Sequence, residues 1–275
     1  MINPMHKEIC SLRGLSGSAL KVTGTIAMVI DHFCVIVLGA VTELIWFPMT
    51  VNGKMQTEEF NQILSSIRPA LGDLAFPLFC LLLSEGYHYT HNRKKYISRM
   101  LFFAIISEVP FDIAFFSELS VRAKTYPFYW KYQNVFFTYV LSLICLYGLD
   151  KIKKHCVEHN CKIKLLQIML SVGCVSAAAF LAELLRCDYG AMGVLLVVAF
   201  YLFRDRRVYQ AAAFLIVYIV TTGNQPNIFV AGAALVILLY NGKEGKKLNK
   251  YFFYLFYPAH ITVLYLGTLA LRVLI

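Results

Sequence analysis

The chain has 275 residues, of which 59% are hydrophobic and only 15% charged, with a formal net charge of +10 and a mean hydropathy of +0.62. A soluble domain averages roughly a quarter charged residues, so a single water-soluble core could not hide this apolar surplus. The positive residues fall in short clusters between apolar runs, not among stacking aromatics in a soluble module, which excludes nucleic-acid recognition. What remains is one integral-membrane domain over residues 1–275, an all-α polytopic transmembrane helical bundle.

Residues 1–19 read as a short cytoplasmic segment with no compact apolar stretch and cleavage site, so no removable signal peptide is expected. Nine apolar segments follow, at 20–40, 71–88, 97–116, 132–149, 165–185, 189–203, 208–222, 226–240 and 250–271. They are continuous rather than alternating, which favours helices over a barrel. A crossing needs about 20 residues, and 189–203, 208–222 and 226–240 fall short. The expectation is therefore about nine helices, with a range of eight to eleven.

The connections set an orientation. Lysine and arginine cluster before the first segment (Lys7, Arg13, Lys21), after the second (Arg93, Lys94, Lys95) and after the fourth, in a basic loop at 150–164. They recur after the sixth (Arg204, Arg206, Arg207) and the eighth (Lys243, Lys246, Lys247). The intervening connections are poorer in positive charge, least clearly at 117–131, where Arg122, Lys124 and Lys131 oppose Glu118. The positive-inside rule then puts the N-terminus in the cytoplasm and the C-terminus outside, in a multi-pass protein of the bacterial cytoplasmic membrane.

Five ionisable groups interrupt the apolar runs near mid-depth. Asp31 and His32 lie about eleven residues into the first segment, Glu108 about as far into the third with Asp112 one turn on, and His260 about ten into the last. Glu85 stands near the cytoplasmic end of the second. An unpaired charge at the bilayer centre costs about 2.5–3.5 kcal/mol by insertion scales, so the acids need partners, and the histidines are the ones available at that depth. An imidazole oriented by a carboxylate is a general base near neutral pH; the same groups also suit a proton relay. Pro77, Pro110 and Pro258 break the backbone ladder, the last two within two residues of Glu108 and His260.

The eight cysteines include no CxxC pair, and Cys34, Cys80, Cys145 and Cys174 read as packing residues. His155, Cys156, His159 and Cys161 are too crowded for one tetrahedral site, so no metal is expected there. Tyr126, Phe128, Tyr129, Trp130 and Tyr132 read as an interfacial belt. Tyr251, Tyr254 and Tyr257 share one side of the last helix, below His260.

The polar islands also carry a likeness. ALKVTGTIAMVIDHF, LGDLAFPLFCLLLSEGYHYTHNRKKYISRMLFFAIISEVPFD, QNVFFTYVLSL and FYLFYPAH together resemble the TraX family, most densely over residues 20–112 and least over 150–185. Asp73 departs from the pattern at a position often held by arginine, and Arg68 is close but out of register. The family's founding conjugation protein is associated with N-terminal acetylation of pilin. The resemblance implies a membrane acetyltransferase with acetyl-CoA as acyl donor. It implies a site at Asp31, His32, Glu85, Glu108 and His260, with His91, Asn92, Arg93, Lys95 and Arg99 near the donor.

The residues themselves suggest where donor phosphates would dock: Arg93, Lys94, Lys95 and Arg99, with Arg204, Arg206 and Arg207 as a second cluster. His32 is then the favoured base and His260 the group facing the oxyanion, with Asp31 or Glu108 orienting the imidazole. The acceptor is left open among a peptide amine, a glycan hydroxyl and an envelope polymer; membrane lipid is the other expected partner, and oligomeric state is left open too. A proton-coupled transporter or exporter, and a non-catalytic membrane assembly protein, are the competing classes.

Overall fold

The computed structural model describes residues 14–39, 54–116, 127–158, 164–247 and 249–274. Arg122, Lys124, Tyr126, His159 and Cys161 lie outside them, as do the side chains of 54–71. Among the described residues the chain forms nine helices and no strand. These are α1 (Gly17–His32, continuing as a π-helical turn over Phe33–Leu38), α2 (Lys54–Tyr89), α3 (Arg93–Phe116), α4 (Val135–Glu158) and α5 (Lys164–Leu184). The remainder are α6 (Gly190–Leu202), α7 (Arg207–Thr222), α8 (Ile228–Leu239) and α9 (Lys250–Leu274).

Short polar side chains start several of these helices by satisfying first-turn amides that have no intrahelical acceptor. Ser16 accepts from the Ala19 amide at 3.3 Å, and Asn92 from Lys95 at 2.9 Å. Asn134 accepts from Phe136 at 3.0 Å, Asn227 from Phe229 and Val230 at 2.9 and 3.0 Å, and Asn249 from Tyr251 at 3.0 Å. Gly223 ends α7 with φ +69°, a left-handed conformation that a side chain would resist.

The expected segments and the observed helices correspond one to one, with two extensions. α2 begins at Lys54 rather than 71, and α4 runs through Glu158 into the stretch expected as a basic loop. An apolar window marks the part of a helix that lipid can cover. The backbone ladder runs on through polar residues of good helix propensity, helped in α4 by the Lys154–Glu158 pair four residues apart at 3.4 Å.

α1, α4, α5 and α9 are long and apolar enough to cross a membrane. α6 and α8 are only 13 and 12 residues long, about 20 and 18 Å at 1.5 Å per residue. α6 lies in the middle of the bundle, packed on α2, α4, α5 and α7, with Val194, Leu196, Val197 and Phe200 fully buried. Protein rather than lipid therefore covers its backbone ends. α5 is the opposite case: only Ala178 and Ala182 are buried, and its leucine-rich remainder faces outward as a lipid-exposed surface would.

The basic connections share one face. The Gly17 amide donates to the Lys243 carbonyl, tying the start of α1 to the α8–α9 connection. Arg207 reaches Glu85 at the end of α2 and lies over the Tyr240 ring. Arg93 pairs with Asp150 in the last turns of α4. On the other face the α5–α6 turn hydrogen-bonds the segment before α4, through Gln133 to Arg186 and Asp188 to Gln133.

Candidate active site

The site is built on the first and last helices, which bring residues 228 positions apart into contact. His32 Nδ1 and His260 Nε2 are 2.7 Å apart. The ring planes differ by 3° with centroids 4.9 Å apart. With so short a nitrogen–nitrogen contact, those values put the rings edge to edge in one plane, the geometry of an N–H···N bond.

The proton positions follow from a group that can only accept. His260 Nδ1 is 2.7 Å from the Phe256 carbonyl oxygen, so Nδ1 carries the hydrogen and donates it. His260 Nε2 then has a lone pair and accepts from His32 Nδ1–H. That leaves the His32 lone pair on Nε2, the nitrogen on the side of Asp31, whose Oδ2 is 3.9 Å away. The Phe256 carbonyl and the two imidazoles form a directed chain ending in one basic atom. Phe115 meets His32 edge-on at 5.4 Å, and Tyr257 lies 6.0 Å from His32 and 5.8 Å from His260.

Local sequence explains why both rings stand where they do. Pro258 removes an amide from α9 two residues before His260. The π-turn starts directly after His32, and π-turns inside helices concentrate at functional sites. His32 is 15 residues beyond Gly17, about 22 Å along α1, and His260 is ten beyond Lys250, about 15 Å along α9. The pair therefore lies deep in the bundle, measured from the basic face.

Orientation of His32 falls to His260 and not to a carboxylate. Asp31 is too far from Nε2 for a hydrogen bond. Among the described residues no hydrogen bond joins Glu108 to either ring; it accepts from the Asn134 amide at 3.2 Å and from the Asn134 side chain. Asn134 also donates to the Ala104 carbonyl at 2.8 Å while capping α4, so Glu108 fixes the junction of α3 and α4. Asp112 accepts from the Tyr129 amide in the segment leading to that junction. His260, with both ring nitrogens engaged, has no donor left for an oxyanion in this arrangement.

A second polar group, missed in the sequence, lies beside Asp31. A Cβ on Gly72 would stand 2.6 Å from Tyr189 Oη and 3.8 Å from Asp31 Oδ1, so the absent side chain lets α2 meet them both. Tyr189 lies flat on Phe76 with centroids 3.6 Å apart. Asp73 accepts from Tyr218 at 3.0 Å and Asn227 at 2.9 Å, an occupied role unlike that of an arginine. Asp188 accepts from Tyr132 at 3.0 Å, and burial pushes its carboxyl up to about 6 against the opposing pull of that hydroxyl. The signal was present: RCDYG is a charged interruption between two apolar runs.

The basic face holds the rest of the predicted set. Glu85 is buried against Arg204 at 3.5 Å and Arg207 at 3.2 Å, near the C-terminal end of α2 and about 18–20 Å along it from Gly72 and Asp73 at its middle. The structure does not bring it to the histidines. Arg93 is taken by Asp150, which also accepts from Tyr87 at 2.7 Å and Tyr201 at 2.5 Å. Asn92 caps α3, while His91, Lys94 and Lys95 are exposed. Arg99 is half-buried between the Tyr96 and Tyr254 rings, 5.7 Å from each centroid.

Comparison with known proteins agrees with the motifs. The family model described as TraX protein matches residues 16–267. A "Probable fimbrial assembly protein FimC, serogroup H1" from Dichelobacter nodosus is 27% identical over 265 residues, covering 90% of this chain and 94% of that protein. No solved structure matches.

Proposed function

The chain belongs to the TraX family, and on that premise we propose that it is a membrane-embedded acetyltransferase whose base is His32. In this reading the basic face is cytoplasmic and receives acetyl-CoA, and the acceptor is an amine or hydroxyl of a peptide, glycan or envelope polymer. The observation that carries it is the 2.7 Å bond between His32 and His260, with His260 in turn donating to the Phe256 carbonyl.

The chain's own tasks are few. His32 Nε2 takes the proton of the attacking N–H or O–H as the acceptor bonds to the acyl carbon. The resulting imidazolium is held by the lone pair of His260 Nε2 on one side and faces the Asp31 carboxylate on the other. Collapse breaks the bond from carbon to sulfur, and the same proton passes from His32 to the leaving thiolate. Tyr257 and Phe115 wall the imidazole and limit water around it. The donor supplies an activated acyl carbonyl and needs no redox partner.

The test is acetyl-CoA-dependent acetylation of envelope material by the purified full chain in lipid nanodiscs, read by mass spectrometry. Loss of the acetyl adduct in His32→Gln, with the protein folded and inserted, is the expected result. Undiminished acetylation by that variant overturns the assignment.

A second reading has its own support: the Dichelobacter nodosus relative is named a probable fimbrial assembly protein. A non-catalytic assembly role predicts that a His32→Gln, His260→Gln double variant restores fimbriae in a deletion strain while no acetyl group is transferred.

A further inference from the structure

On the basic side of the bundle most half-buried cations are already neutralised. Arg93 is held by Asp150, and Arg204 and Arg207 by Glu85. Two stand apart. Among the described residues no carboxylate comes within ion-pair distance of Arg99 or Lys21. Arg99 Nε is buried with no hydrogen-bond partner. Its guanidinium lies over Tyr96 and Tyr254, while Lys21 Nζ lies 5.6 Å from the centre of the neighbouring Phe253 ring. The two cations thus flank α9, one from α3 and one from α1.

A cation without a counter-charge inside a membrane bundle is expensive and marks a ligand path. Tyr254 is six residues before His260, about 9 Å along α9. Two hydroxyls that are buried and without a hydrogen-bond partner lie further along the same helices: Thr25 Oγ1, one turn beyond Lys21, and Ser107 Oγ, two turns beyond Arg99.

We propose that Arg99 and Lys21, across the Phe253–Tyr254 edge of α9, dock the phosphate-bearing half of the donor, and that Thr25 and Ser107 hydrogen-bond its amide-bearing arm on the way to His32. This rests on the acetyltransferase reading for the identity of the ligand. The exposed cluster of Lys94 and Lys95 would then serve to attract the donor and not to seat it. The ligand chemistry is a phosphate ester, which a nucleotide thiol and an anionic lipid headgroup share; the aromatic walls, on which a base can stack, favour the nucleotide.

The experiment uses the full chain in phosphatidylcholine nanodiscs, with thermal unfolding read against coenzyme A, against pantetheine (which has the arm but no phosphate), and against discs containing phosphatidylglycerol. Coenzyme A is expected to raise the unfolding midpoint, and Arg99→Met to weaken it at least tenfold while pantetheine is unaffected. Without ligand, Arg99→Met is expected to change stability little, since the half-buried guanidinium has no carboxylate partner among the described residues and gives up only its contacts with the Tyr96 and Tyr254 rings; a merely structural arginine would give a clear loss. Wild-type coenzyme A affinity in both Arg99→Met and Lys21→Met overturns the proposal. So does Arg99-dependent stabilisation by phosphatidylglycerol with none by coenzyme A. Arg99-dependent binding of coenzyme A with no acetyl transfer under any condition would retain the docking site and sink the acetyltransferase reading instead.

Discussion

His260 Nε2 accepts from His32 Nδ1–H at 2.7 Å in a plane shared to within 3°, and the Phe256 carbonyl sets the direction of that bond by accepting from the other side. In the proposed mechanism one imidazole does for its neighbour what a carboxylate does in many hydrolases: it fixes the tautomer and accepts the hydrogen of the ion that forms. An imidazole can do this without placing another permanent charge at the middle of a bilayer, where charge is costly.

On the acetyltransferase reading, removal of His32 should cost far more than removal of His260. Acetyl transfer by His32→Ala should fall on the order of 10²–10⁴-fold, the usual worth of a general base. His260→Ala should lose less, and the double variant should be no worse than His32→Ala, because residues that act as a unit are not additive. Single-turnover transfer with saturating donor checks the ordering; a double variant substantially worse than His32→Ala would show that His260 acts independently.

Glu85 supplies a contrast. Its carboxylate is shared by Arg204 and Arg207 at the foot of α2, so Glu85→Gln leaves two half-buried cations without their charge. Breaking a buried pair typically costs about 3–5 kcal/mol; for this half-buried cluster a smaller loss, on the order of 2 kcal/mol, is expected. The unfolding midpoint should fall while transfer per folded molecule stays near that of the parent. A large loss of turnover at unchanged stability would return Glu85 to the chemistry.

Much of the architecture was legible because the membrane reads sequence coarsely: each apolar run became one helix, and asparagines at 92, 134, 227 and 249 cap the ones they precede. The two histidines stood out because ionisable side chains in apolar runs need partners. Hydropathy could not say which partner each polar group takes. Glu108 lies at a depth suited to catalysis, yet its neighbour is a capping asparagine 26 residues away, a pairing set by how α3 meets α4. Arg93 was similarly hidden, because Asp150 sits in what hydropathy marks as a loop and the backbone makes helix. The directed chain through Phe256 depends on a main-chain oxygen, which residue identity does not reveal.

Asp188 gives a pH dependence of determined sign. Burial raises its carboxyl from the usual 3.8 to about 6, so the folded chain holds this proton more tightly than the unfolded one. The stability it contributes is fully present below about 4 and is lost as pH rises through about 6, on the order of 3 kcal/mol in all. In Asp188→Asn that part of the slope should vanish, which thermal unfolding between pH 4 and about 8 would register. An identical slope in parent and variant would show that Asp188 titrates near its ordinary value.

Two glycines on facing helices separate packing from the site. Gly193→Ala would press its methyl into the Thr138 methyl and the Phe76 ring in the middle of the bundle, so a loss of about 1–3 kcal/mol is expected, the ordinary cost of overpacking, with a smaller loss of turnover per folded molecule than in Gly72→Ala, because Phe76 reaches Asp31 only through Tyr189. Gly72→Ala meets Tyr189 Oη at 2.6 Å instead. That ring is pinned flat on Phe76 and cannot retreat without tilting, so the strain passes to the neighbouring Asp31 side chain, next to the His32 lone pair. Stability should fall by a similar amount, and transfer per folded molecule should fall with it, in kcat more than in KM for the donor. If both variants keep full turnover once corrected for folding, Asp31 and Tyr189 do not shape the reacting end of the site.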